Sequence, residues 1–122
     1  MKIINEIAGK LGVIPRLSLG IKLEGGGVKS TGPHLVTIVG AKEVTGKDWK
    51  TGKDRPEIRL SLLEKGQKFH YFFPVKSDKG TPHYLIEKLM YLKDGSEVIL
   101  ELKSYGAKKI IDVRAPGEIE RI

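Results

Sequence analysis

Hydrophobic and polar residues alternate along most of this chain. Between Leu17 and Leu23, leucine or isoleucine occupies every second position, and Ser18, Gly20 and Lys22 lie between them. A period of two residues is typical of a strand that buries one face. Comparable segments begin at residues 34, 56, 68, 96 and 108: HLVTIVGAKEV, PEIRLSLLEKG, KFHYFFPV, SEVILELKSYG and KKIIDVRA. The pattern therefore predicts a mainly β protein.

The N-terminal segment has helical spacing instead. Apolar residues recur every three or four positions from Ile3 to Leu11, while Gly9 and Gly12 weaken the helix and Pro15 stops it. Residues 1 to 12 are predicted to form a short helix or a docking arm.

A second helix is predicted from about Pro82 to Lys93. Thr81 suits the N-cap, Pro82 suits the first helical position, and Gly95 provides a stop. The buried side of this helix is expected to contain Leu85, Ile86, Leu89, Met90 and Leu92.

The order of elements from residue 34 indicates a specific architecture. It runs strand, long loop, strand, tight turn at Glu64 to Gln67, strand, helix, strand, short loop, strand. This order resembles the OB-fold, a five-stranded Greek-key barrel with one helix between the third and fourth strands. The match covers residues 34 to 114. We predict one domain overall, in which residues 1–33 form an N-terminal helix/strand arm and Gly-rich loop and residues 34–122 form the barrel.

Length and composition limit the classes of function. The 122 residues suffice for one core, and the absence of cysteine excludes disulfides, thiol nucleophiles and cysteine-based zinc sites. No apolar run has the length of a signal segment or a membrane span, so a cytoplasmic protein (in the host cytoplasm if viral) with no membrane partner is expected. The formal net charge of +7 favours polyanionic partners.

The only tryptophan, Trp49, lies in the basic loop TGKDWKTGKDRP. Lysine and arginine side chains in such a loop can neutralise phosphates, and an aromatic ring among them can stack on any base. The alternative is that Trp49 folds back as a lid on the barrel.

The segment KFHYFFPV predicts a second aromatic surface. Alternation separates one set of side chains from the other, and the set that contains polar residues is expected to face outward. The inward set is Phe69, Tyr71, Phe73 and Val75, and the outward set is Lys68, His70, Phe72 and Pro74. His70 and Phe72 would then share a surface with Arg59 of the preceding strand. The alternative is that Phe72 packs under the extra N-terminal strand.

No catalytic or metal-binding motif is present in the sequence. The segment GGGVKSTG lacks the glycine that a phosphate-binding loop has before its lysine, and it precedes a strand instead of following one. The three histidines are not spaced with other metal ligands. The strand carboxylates, for example Glu57, are expected to be solvated charges, and we predict neither a cofactor nor an enzymatic activity.

These features together resemble the OB-fold single-stranded DNA-binding proteins, including the small versions encoded by phages and plasmids. The resemblance rests on the element order, on the loop KDWKTGKDR and on the strand KFHYFF. It implies base stacking by Trp49, His70, Phe72 and Tyr105. The acidic C-terminal tail that recruits partners in bacterial replication-type members is missing, since this chain ends in GEIERI.

The expected function is sequence-tolerant binding of single-stranded nucleic acid, most readily DNA, with roles in replication, recombination or repair. The alternatives are an RNA-binding or a protein-interaction module. Whether the chain forms a homo-oligomer through the Leu17 to Leu23 strand or a sheet edge is left open. The predicted nucleic-acid-binding residues are Lys47, Trp49, Lys50, Lys53, Arg55, Arg59, His70, Phe72, Lys76, Lys79, Tyr105, Lys108 and Lys109.

Overall fold

The computed structural model of the protein describes residues 1–16, 18–19, 31–48, 50–105 and 107–116. The Gly-rich segment of residues 24–30 and most of the predicted strand from Leu17 to Leu23 lie outside these ranges. In chain order the elements are α1 (Lys2–Leu11), β1 (Ser18–Leu19), β2 (Gly32–Lys47), β3 (Asp54–Glu64), β4 (Gln67–Pro74), α2 (Tyr84–Leu89), β5 (Glu97–Tyr105) and β6 (Ala107–Ala115).

The protein is mainly β, as the alternation predicts. Strands β2 to β6 form a five-stranded antiparallel sheet, and β1 adds two residues in parallel to β6. The order across the sheet is β1-β6-β5-β2-β3-β4. The sheet is not closed, because no ladder joins β4 to β6 in the described part of the chain. No described helix is long and apolar enough to cross a membrane.

The longest strand, β2, connects the two halves of the sheet. Its residues up to Thr37 pair with β5, and its residues from Thr37 onward pair with β3. A register shift lies between Ile38 and Gly40, where a bulge bends a strand and increases its twist.

One hydrophobic core lies inside the curved sheet and is covered by both helices. Ile4, Ile7 and Ala8 of α1 pack into the same cluster as Leu85, Ile86 and Leu89 of α2. The strands contribute their inward residues to it, among them Ile38, Ile58, Leu60, Phe73, Leu100 and Val113. The predicted N-terminal helix is therefore confirmed, and it forms part of the core.

The second helix is shorter than predicted and begins later. The imidazole of His83, not the hydroxyl of Thr81, caps it: Nδ1 of His83 accepts the N–H of Leu85 at 3.2 Å. Burial, and secondly the nearby Lys109 ammonium, lowers the pKa of His83 to about 4. The ring is therefore neutral at neutral pH, and its nitrogen keeps the lone pair that capping requires.

Candidate functional site

The outer face of β3 and β4 displays the residues that alternation assigned to solvent. Phe73 is buried, whereas His70 is exposed and Phe72 is 53% exposed. The predicted alternation of β4 is thereby confirmed. In the register of the hairpin, Phe72 lies opposite Arg59 and His70 lies opposite Ser61. Because paired residues of antiparallel strands point to the same side, these four side chains share one surface.

A lysine extends this surface on to β2. Lys42 is exposed and pairs with Arg59, so that Lys42, Arg59 and Phe72 form one row across three strands. Lys68 is also exposed on this face, two residues before His70. Neither lysine is among the nucleic-acid-binding residues predicted from the sequence, although alternation placed Lys68 in the outward set. Lys68 was identifiable from alternation alone, whereas Lys42 required the pairing register between β2 and β3.

Arg59 has an unsatisfied donor in the middle of this row. Its Nε is buried and makes no hydrogen bond within the described part of the chain. A buried donor without a hydrogen bond lowers the stability of the folded protein, and a bound acceptor would remove this penalty. Arg59 therefore combines a position opposite an exposed ring with an unpaired donor. In the next row, Ser61 Oγ lies 3.0 Å from His70 Nδ1, which orients the imidazole.

Two basic loops meet where β3 begins and β4 ends. The connection between β2 and β3 is short, since β2 ends at Lys47 and β3 begins at Asp54, and Gly52 N–H donates to the carbonyl of Asp48 at 2.7 Å. It is shorter than the predicted long loop because β2 continues to Lys47. Lys50 Nζ lies 3.1 Å from Asp78 Oδ2, an exposed ion pair that places this connection beside the loop after β4. The exposed cations at the end of β2 and in the two loops are Lys47, Lys50, Lys53, Lys76 and Lys79.

Trp49 lies outside the described residues, so its stacking role and the alternative lid role both stay predictions. The side chains of Tyr105 and Lys108 also lie outside them. The backbone of Tyr105 ends β5, and Lys108 pairs with Ser104 near the start of β6. Lys109 is exposed at the start of the same strand.

The start of β6 approaches the aromatic strand across the open edge of the sheet. Tyr71 lies between His70 and Phe72 on β4, and its hydroxyl accepts the N–H of Ile110 at 3.3 Å. The hydroxyl of Tyr84 donates to the carbonyl of the same residue. Burial raises the pKa of Tyr71, and its bond to the Ile110 backbone acts in the opposite direction. These contacts place Lys109 next to the strand that carries His70 and Phe72.

Arg55 is less available for contact with nucleic acid than predicted, and Glu57 is not a solvated charge. Arg55 Nε donates to Glu57 Oε2 at 2.9 Å, and the two side chains are only 26% and 13% exposed. Both residues lie on the outer face, since every second residue of β3 from Arg55 to Arg59 points to the same side. The carboxylate offsets the charge of Arg55 at this end of the surface.

A buried histidine–carboxylate pair lies on the inner side of the sheet. His34 and Glu64 are 0% and 3% exposed, and His34 Nδ1 lies 2.7 Å from Glu64 Oε2. Glu64 Oε1 has no hydrogen-bond partner within the described residues. His34 also lines a small apolar cavity of about 50 Å³ with Tyr71 and Ile110. The inward position of His34 in the alternation of β2, in step with Val36 and Ile38, was the sequence signal of its burial.

Comparisons with known proteins give no support for a specific family. No protein-family description, curated protein or solved structure matches the chain significantly. Any statement of function therefore rests on the residues and their arrangement.

Proposed function

We propose that this protein binds single-stranded nucleic acid, most readily DNA, on the outer face of β3 and β4. The observation that carries the proposal is the row formed by Lys42, Arg59 and Phe72. It combines an exposed ring with two cations, one of which has an unused donor. Single strands are bound in this way in general, because the backbone is neutralised by cations and the bases stack on aromatic faces.

The basic loops extend the proposed surface at one end. The Lys50–Asp78 contact brings the lysines of both loops to the open end of the β3–β4 hairpin, opposite its turn. Lys109 lies on β6, at the side of the surface. A single strand of nucleic acid that stacks on Phe72 and His70 would have cations along its path. We assign phosphate contacts to Lys42, Arg59, Lys68, Lys109 and the loop lysines, and base stacking to Phe72, His70 and Trp49.

The sheet is proposed to be an incompletely closed barrel of the OB type. In a Greek key, three consecutive strands are followed by a fourth that returns beside the first, in the spatial order 4-1-2-3. The order β5-β2-β3-β4 agrees with this arrangement, with α2 in the returning connection. The hydrogen bond from Ile110 to Tyr71 brings the two free edges together and supports near closure.

Phe72→Ala and Lys42→Ala are expected to separate stacking from phosphate neutralisation. Loss of the ring should weaken binding of oligo-dT by roughly 1–3 kcal/mol with little change in the salt slope, because stacking releases no counterions. Loss of Lys42 should reduce the slope of log K against log salt by up to about 0.7, with a smaller loss of affinity at high salt. Fluorescence anisotropy of a labelled oligonucleotide at several salt concentrations measures both quantities.

Tyr91→Ala is the matched control, because Tyr91 is 68% exposed and follows α2 on the helical side of the protein. It should change neither affinity nor slope. If Phe72→Ala binds oligo-dT as the wild type does, the aromatic face is not the binding surface. The same comparison with Trp49→Ala distinguishes stacking from a lid, since loss of a lid would lower the melting temperature and leave affinity intact.

A further inference from the structure

Glu57 places a carboxylate on the proposed binding face, near the end that adjoins the basic loops. On β3 it lies between Arg55 and Arg59, and in the register of the hairpin it is opposite Pro74, one row away from Phe72. A carboxylate at this position repels phosphate and so weakens backbone binding. Its presence on a face of otherwise basic character calls for a different role.

The carboxylate has a fixed position. Arg55 Nε holds Oε2 at 2.9 Å, and the side chain is 13% exposed. The group lies over Gly46 of β2, so closely that a Cβ atom built on Gly46 would be 2.0 Å from Glu57 Oε1. The absence of a side chain at Gly46 therefore provides the space that the carboxylate occupies.

A fixed carboxylate distinguishes bases by their edges. It can only accept hydrogen bonds, and in nucleic-acid recognition carboxylates accept from the exocyclic amino group of cytosine. Thymine has a carbonyl oxygen in the corresponding position, which a carboxylate repels. A base stacked on Phe72 would direct one edge toward the neighbouring row, where Glu57 lies.

From this arrangement we infer that Glu57 makes the surface selective for a base with an exocyclic amino group over thymine at one position of the bound strand. The inference rests on the proposed function. It adds a modest preference at one position to binding that is otherwise tolerant of sequence.

The test compares oligo-dC with oligo-dT, whose bases have the same ring size but carry an amino and a keto group, respectively, at position 4. Anisotropy titrations of the full chain at pH 7.5 and two salt concentrations are expected to show oligo-dC binding roughly 3- to 10-fold tighter. Glu57→Gln should reduce the ratio to about one, because the neutral amide both donates and accepts. Glu43→Gln removes an exposed carboxylate from the opposite face of the sheet and should preserve the ratio.

Gly46→Ala provides a second variant that leaves the carboxylate in the chain. The added Cβ should displace the Glu57 side chain and reduce the dC/dT ratio as Glu57→Gln does. Equal wild-type affinities for the two oligomers would overturn the inference. So would a uniform gain for both oligomers in Glu57→Gln, because the carboxylate would then act on phosphate alone. If the wild type binds neither oligomer, the proposed function itself fails, and the inference fails with it.

Discussion

His34→Leu is expected to lower the free energy of unfolding by about 3–5 kcal/mol, the usual cost of leaving a buried carboxylate without its partner. His34 and Glu64 are at most 3% exposed, and Glu64 Oε1 already lacks a partner within the described residues. Without the imidazole, the Glu64 carboxylate would stay buried and lose its contact at 2.7 Å. Urea denaturation followed by far-UV circular dichroism measures the change.

The double variant His34→Leu/Glu64→Leu separates the lost pair from a packing defect. Replacing both members of a buried pair by apolar side chains of similar volume is often neutral or stabilising. The double variant should therefore recover most of the stability that His34→Leu loses. If His34→Leu alone unfolds at the wild-type urea concentration, the contact between His34 and Glu64 does not stabilise the interior.

Leu89→Ala is expected to cost roughly 2–5 kcal/mol, because leucine truncation in a core loses burial and leaves a cavity. Leu89 is 0% exposed and belongs to the cluster that joins α1, α2 and the sheet. A helix of six residues has little stability of its own, so its packed face must hold it in place. Thermal unfolding measures the effect.

The comparison variant for Leu89→Ala is again Tyr91→Ala, which removes a larger side chain from an exposed position. It should stay within about 0.5 kcal/mol of the wild type, as surface substitutions usually do. Equal melting temperatures for Leu89→Ala and the wild type would show that α2 lies outside the core.

The strands of this fold were predictable because alternation is a local property of the chain. Burial of one face of a sheet requires a period of two, and each segment from residue 34 onward shows it. The turn after β3 was predictable for the same reason, and the positive φ angles of Lys65 (50°) and Gly66 (82°) agree with a tight hairpin turn. Neither feature depends on distant residues.

The end of α2 was not predictable, because a distant element fixes it. The helix ends at Leu89, and Tyr91 has a φ of 67° instead of continuing the helix. The N–H of Tyr91 donates to Asn5 Oδ1 of α1 at 2.6 Å, and the Met1 amine donates to the carbonyl of Leu92. These contacts connect residues more than eighty positions apart, and no local pattern reports them.

The residues of the candidate site on β4 were predictable from the sequence, whereas those on the other strands were only partly predictable. His70 and Phe72 follow from alternation within one strand, whereas Lys42 joins Arg59 only through the register of β2, including its bulge. The Arg55–Glu57 pair was within reach of the sequence, since residues two apart on a strand share a face. Arg55 was instead predicted to contact phosphate, because only its positive charge in a basic segment was considered.

Binding of fluorescein-labelled oligo-dT, oligo-rU and duplex DNA to the wild-type protein at two salt concentrations tests the central claim most directly. We expect both single strands to bind more tightly than the duplex, with log K falling against log salt by about 0.7 per neutralised phosphate. Binding that does not depend on salt, a preference for duplex, or no binding to any of the three would contradict the claim.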